Sequence, residues 1–134
     1  GLENILETAR GFVKGRVLAL FGCGGDRDFT KRPMMGEVAG RFSDLCIITS
    51  DNPRSEEPMK IIKQIMPGVK KTGCPYKIIE NRKEAIEYAL SNAKKGDVVI
   101  LAGKGHETYQ ILKNKTIHFD EKEIVMEILG RERP

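Results

Sequence analysis

Three continuous apolar runs, 17–21 (VLALF), 45–49 (LCIIT) and 98–102 (VVILA), limit what this chain can fold into more than any other feature. Each has the length of a strand and none alternates with polar residues, which is how a strand covered on both faces reads. Between them lie segments whose apolar residues recur at helical spacing. Leu2, Ile5, Leu6, Ala9, Phe12 and Val13 mark the first, Met59, Ile61, Ile62, Ile65 and Met66 another, and Ile86, Tyr88, Ala89, Leu90 and Ala93 a third. Strands alternating with helices imply right-handed crossovers, and so a three-layer α/β/α fold around a mostly parallel, Rossmann-like sheet. The run 98–102 is the most apolar and is expected at the sheet centre, between the first two strands.

Local signals divide the rest. Pro33 suits the first turn of a helix over 33–42, where a missing N–H costs nothing. Ser55 reads as the cap of the next helix, with Glu56 and Glu57 at its positive end, and Pro67-Gly68 as its stop, leaving 69–75 as a basic loop. A short strand over 76–79 precedes a helix opened by the capping pair Asn81 and Glu84. Segments 109–112 and 116–119 flank Lys113-Asn114-Lys115 as a small C-terminal hairpin. Asp120 with Glu123 then opens a last helix that turns Ile124, Val125, Ile128 and Leu129 inward.

A chain of 134 residues suffices for a single domain, 1–134, with one core. It has no apolar run near the ~18 residues a membrane span needs and no leader-like start, so a soluble cytoplasmic protein without a membrane partner is expected. Cys23, Cys46 and Cys74 are an odd number without paired spacing and read as reduced thiols. The net charge of +4 and pI near 9.0 could suit nucleic acid, but the basic residues are mixed with 19 acidic ones and aromatic residues make up only 6%. Nucleic acid is therefore not the expected partner.

In a parallel sheet, ligands bind outside the carboxyl ends of the strands. The three loops following the apolar runs, 22–31, 51–54 and 103–107, should share that edge. Gly22, Gly24 and Gly25 let backbone N–H groups approach an anion, with Arg27, Lys31 and Arg32 adding positive charge, or they simply make a tight strand exit. A dinucleotide fingerprint fails, because its third glycine falls on Arg27 and the following helix starts too late. In Asp51-Asn52-Pro53-Arg54, Arg54 can grip a carboxylate bidentately and Asn52 can donate or accept, which suits a zwitterion. The bland alternative is a turn closed by Asp51. Gly103-Lys104-Gly105-His106-Glu107 lacks the spacing of a P-loop, and its Glu107 supplies an anion complementary to an ammonium group. His106 and His118 have no metal-ligand cluster around them, so no metal site is expected.

Together these motifs, with Lys31-Arg32-Pro33 and Tyr109-Gln110, resemble the C-terminal domain of the Mur ligases, the ATP-dependent enzymes that add amino acids to the peptidoglycan stem peptide. Asn52 and Arg54 match the members that add meso-2,6-diaminopimelate to UDP-N-acetylmuramoyl-L-alanyl-D-glutamate. The resemblance implies that Arg27 holds a substrate carboxylate, Asn52 and Arg54 select the amino acid, Asp51 and Gly103 contact it, and Glu107 binds its ammonium group. It also implies that ATP and magnesium are bound mainly by a central domain and the UDP-sugar by an N-terminal domain, neither present in this sequence. No catalytic residue, metal or cofactor is then expected of these residues alone. The rival is a stand-alone α/β module for an anionic nucleotide or nucleic acid.

Overall fold

The structure, a computed structural model, describes residues 1–103 and 109–131. Its elements are α1 (Leu2–Phe12), β1 (Val17–Phe21), α2 (Lys31–Phe42), β2 (Leu45–Ile48), α3 (Pro58–Thr72), β3 (Tyr76–Ile78), α4 (Arg82–Asn92), β4 (Val98–Leu101), β5 (Tyr109–Ile111), β6 (Thr116–His118) and α5 (Glu121–Arg131). Strands β1 to β4 form one parallel sheet, and β5 and β6 pair antiparallel as a separate hairpin. On one face Ala19, Phe21, Cys46 and Ile48 pack against Leu6 of α1, Ala39 of α2 and Ile62 and Ile65 of α3. On the other, Leu20 and Ile47 meet Ile86 and Ala89 of α4 and Ile124 and Ile128 of α5. The expected three layers are present. Asn81 also caps α4 as its spacing predicts, its Oδ1 accepting the Glu84 N–H at 3.0 Å. Among the described residues no helix is long and apolar enough to cross a membrane.

The strand order, β3-β2-β1-β4, differs from expectation. β1 takes the central place, with Leu18 opposite both Leu45 and Val99. β4 pairs with β1 alone among the described strands, and its residues are only half-buried. The apolar character of β4 comes from its two faces, since Val98 and Ile100 turn toward the α1 side and Val99 and Leu101 toward the α4 and α5 side. Cover above and below a strand does not specify its lateral neighbours. Over this edge Ile5 and Phe12 of α1, expected to be buried, are 54% and 70% exposed. Leu129 of α5, also expected inward, is 39% exposed.

α3 also departs from its sequence signals. Ser55 does not cap it; the Ser55 hydroxyl bonds to Asp26, and the helix starts with proline in its first turn. It continues past Pro67-Gly68 to Thr72, where Gly73 at φ 77° ends it, so most of the expected basic loop is helical. Tertiary packing accounts for the continuation. A Cβ on Gly68 would lie 1.9 Å from the Pro33 carbonyl oxygen, and one on Gly36 would lie 2.3 Å from that of Ile65. Backbone contact between α2 and α3 thus offsets the hydrogen bond Pro67 cannot make. Lys70 and Lys71 fall in the last turn, where they suit the helix dipole.

Arg32 locks the same helix pair. Only 1% exposed, it donates to Gln64 Oε1 at 2.6 Å, to the two Glu56 oxygens at 3.1 and 2.8 Å, and to the Gly24 carbonyl at 3.0 Å. Its charge, expected to serve a ligand, is paired with Glu56 instead. The guanidinium, together with the Asp26 N–H, holds the Glu56 carboxyl down at about 2, from an ordinary value of 4.5.

Two outcomes follow. Gly68→Ala should destabilise the chain by about 1–3 kcal/mol through forced separation of α2 and α3. Gly11→Ala, at an open position in α1, should stabilise it by up to about 1 kcal/mol; denaturant unfolding of both variants checks the pair. Because the folded state lowers the Glu56 pKa, its stabilising contribution is complete above pH 4.5 and is lost as pH falls toward 2. Glu56→Gln should therefore lower the midpoint of thermal unfolding at neutral pH, and the gap to the unmodified chain should close across that acid range.

Candidate functional site

The loops leaving β1 and β2 are pressed together. A Cβ on Gly22 would lie 2.3 Å from the Thr49 carbonyl oxygen, and one on Gly25 would lie 1.8 Å from that of Pro53. With those methyl groups absent, the Gly25 N–H reaches the Asn52 carbonyl at 2.8 Å, and the Asp26 N–H reaches Glu56 Oε2 at 2.6 Å. Asp26 and Arg54 both take positive φ, 56° and 53°, without being glycine. Such conformations persist only where the surroundings impose them, and they gather at functional sites. The Arg54 guanidinium folds back so that Nη1 donates to the carbonyls of Gly25 and Asn52 at 3.1 and 3.3 Å.

The hairpin clamps the second loop from its other side. Asn52, 3% exposed, accepts the Ile111 N–H on Oδ1 at 2.9 Å, and the Arg54 N–H donates to the Ile111 carbonyl at 3.2 Å. Gln110 donates to Ser50 Oγ at 3.1 Å and to the Asp51 carbonyl at 2.7 Å. Sequence reasoning quoted Gln110 in a motif without assigning it this clamp, and it missed Glu56 as a loop partner. A polar residue within a short, otherwise apolar hairpin strand was the available signal for Gln110.

The result is a cleft of about 510 Å³ at the carboxyl ends of β1, β2 and β4. Five of the six residues expected to contact a ligand line it: Arg27, Asp51, Asn52, Arg54 and Gly103. The sixth, Glu107, lies outside the described residues with the rest of 104–108. Gly103 has φ 109°, and a Cβ there would stand 3.6 Å from Asp51 Oδ2, so a strained side chain would crowd the space beside that carboxylate. A Cβ on Gly24 would meet Arg54 Nη1 at 3.0 Å and the Arg27 side chain at 3.7 Å, which brings the two arginines to the same glycine.

The cleft is lined by both signs of charge, Arg27, Lys31, Arg32 and Arg54 together with Asp28 and Asp51. The Asp28 carboxylate is drawn toward Thr30, whose hydroxyl and N–H lower its pKa. Cys23 and Met35 form a sulfur-lined wall, their sulfurs 3.4 Å apart. Burial pushes the Cys23 thiol up to about 11, so it is an apolar surface at neutral pH and not a nucleophile. No group of three His, Cys, Asp or Glu side chains able to hold a metal occurs among the described residues. Chemically, the cleft can bind a molecule carrying both carboxylate and ammonium groups on an apolar stem.

Comparison with known proteins bears on the same region. Residues 1–105 match the family described as "Mur ligase, glutamate ligase domain". The chain is 64% identical over 130 residues, 97% of its length, to the UDP-N-acetylmuramoyl-L-alanyl-D-glutamate--2,6-diaminopimelate ligase of Caldanaerobacter subterraneus subsp. tengcongensis. It is 62% identical, over 96% of its length, to a ligase of the same name, numbered 1, from Clostridium acetobutylicum. A solved structure of a UDP-N-acetylmuramoyl-L-alanyl-D-glutamate--2,6-diaminopimelate ligase superposes with a TM-score of 0.92 at 38% identity, covering 98% of this chain and 27% of that one. The chain spans about a quarter of these relatives, 27% and 26% of the two curated ligases. With more than half of its length matched by the family model, and with a fold that agrees, this chain belongs to the Mur ligase family.

Proposed function

We propose that this chain is the C-terminal, amino-acid-binding domain of an ATP-dependent ligase that adds meso-2,6-diaminopimelate to UDP-N-acetylmuramoyl-L-alanyl-D-glutamate. The observation that carries the reading is the convergence of Arg27 and Arg54 on Gly24, in one cleft with Asn52, Asp51 and Gly103. Diaminopimelate has two carboxylates and two ammonium groups on a methylene stem. Arg27 holds one carboxylate, and Arg54 with Asn52 holds the other. Asn52 Oδ1 accepts the Ile111 N–H, so the hairpin fixes the orientation of this side chain in the cleft wall. Asp51 and, by resemblance, Glu107 face ammonium groups, and the wall of Cys23 and Met35 accepts the stem. The names of the relatives, which are ligases for this amino acid, support the substrate class.

ATP, when bound, supplies activation of the glutamate carboxylate. By resemblance to the Mur ligases, ATP and magnesium are assigned mainly to a central domain. What these residues contribute is orientation and selectivity. They hold the amino acid at its charged ends so that one amine, once deprotonated, is presented to the activated carbonyl when the domains close. Discrimination against lysine follows from its missing second carboxylate. A guanidinium placed to pair with that group is left without it, and a site built around such pairing rejects the analogue strongly.

In a full-length ligase carrying this domain, Arg54→Ala should reduce the preference for diaminopimelate over lysine, measured as the ratio of kcat/KM values, by about tenfold or more. An unchanged ratio would remove Arg54 from the selecting role. The purified 134-residue chain should show no ATP-dependent ligation, and measurable product would contradict the division of labour.

A further inference from the structure

Arg82 is among the largest fully buried side chains, at 1% exposure, and no role follows for it from the cleft lining. Its guanidinium makes three contacts on three separate elements. Nε donates to Glu121 Oε2 of α5 at 2.7 Å, Nη1 to the Ser50 carbonyl at 3.0 Å, and Nη2 to the Ala102 carbonyl at 2.7 Å. Ser50 and Ala102 immediately precede Asp51 and Gly103, the points at which the chain enters the cleft behind β2 and β4. A Cβ on Gly103 would lie 3.9 Å from Nη1 and 3.6 Å from Asp51 Oδ2, so the guanidinium and the carboxylate both border this glycine.

The topology shows why such a bridge matters. β1 lies between β2 and β4, so no ladder hydrogen bonds fix the ends of those two strands relative to one another. Within the sheet the two are related only through β1, whose last ladder partners are the N–H groups of Thr49 and Ala102. Beyond these, Arg82 bonds both strand exits. A planar fork can satisfy two carbonyls and a carboxylate at fixed spacing, which a compact ammonium cannot reproduce.

Resting on the substrate reading above, we propose that Arg82, anchored by Glu121, is a positioning residue that sets the separation of the Asp51–Arg54 and Gly103 walls and thereby the fit of the incoming amino acid. It touches no substrate. Its effect should therefore appear in the binding of the amino acid and not in that of ATP or the nucleotide precursor.

The test is Arg82→Lys in a full-length ligase, with folding checked by circular dichroism. KM for diaminopimelate should rise about tenfold or more, while KM for ATP and for UDP-N-acetylmuramoyl-L-alanyl-D-glutamate stays within about twofold. A folded variant with an unchanged KM for the amino acid, or with all three constants altered alike, overturns the proposal. If Arg82→Lys does not fold, Glu121→Gln decides: it keeps the guanidinium but weakens its anchor, and should raise the same KM alone by a smaller factor. No selective rise in that variant overturns the proposal equally. Should the unmodified enzyme not ligate diaminopimelate, the substrate reading fails. The bridge is then judged by amide hydrogen exchange in the variant that folds, where the N–H groups of Asp51, Asn52, Arg54 and Gly103 should exchange about tenfold faster with α2 and α3 unchanged. Unaltered exchange at those residues overturns it.

Discussion

The N–H of Gly25 meets the carbonyl of Asn52 at 2.8 Å, with so little room between the chains that a Cβ on Gly25 would stand 1.8 Å from the Pro53 carbonyl oxygen. The cleft at this side of the sheet depends on this backbone contact. It brings the loop after β1 onto the loop after β2, forces Asp26 and Arg54 into positive φ, and places Arg27 and Arg54 at one glycine. The carbonyls that Arg54 binds belong to the same junction. A cleft wall built this way is assembled before any ligand arrives, so little ordering entropy remains to be lost on binding.

Two buried arginines extend that rigidity to either side. Removing a guanidinium from water costs several kcal/mol unless it is paired and its donors are used. Arg82 meets the condition with Glu121 and the carbonyls of Ser50 and Ala102; Arg32 meets it at both terminal nitrogens, through Glu56, Gln64 and the Gly24 carbonyl, while its Nε has no partner among the described residues. Both lie in the first turn of a helix, where positive charge opposes the dipole. Local helix preference has yielded in both places to the need for a fork of fixed donors against loop carbonyls. Each of these two arginines spends its charge on a carboxylate; of the described cations lining the cleft, Arg32 is thus already paired, while Arg27, Lys31 and Arg54 line it beside Arg32.

Much of this was legible in the sequence. Unbroken apolar runs identified β1, β2 and β4, and helical spacing identified the helices, because both patterns record what covers each residue above and below. The capping of α4 by Asn81 was equally readable, since its partner is three residues away. The cleft residues were legible because a parallel sheet turns the exits of its strands to one edge. The stop assigned to α3 at Pro67-Gly68 failed for the converse reason: the contact of Gly68 with Pro33 lies on another helix. Arg82 left only an indirect trace, a cation in the wrong turn of a helix.

By itself, then, the sequence determined the alternation of strands and helices, the three-layer class, the motifs of the cleft edge and the family they resemble. Those follow from local conformational preference and from the apolar pattern of each element. Only the tertiary structure decided that β1 and not β4 is central, that α3 runs on to Thr72, that Arg32 is neutralised by Glu56, and that Arg82 spans the exits of β2 and β4. Each of these depends on groups far apart in the chain that meet through shape and hydrogen-bond geometry, and neither is encoded in the composition of a single segment.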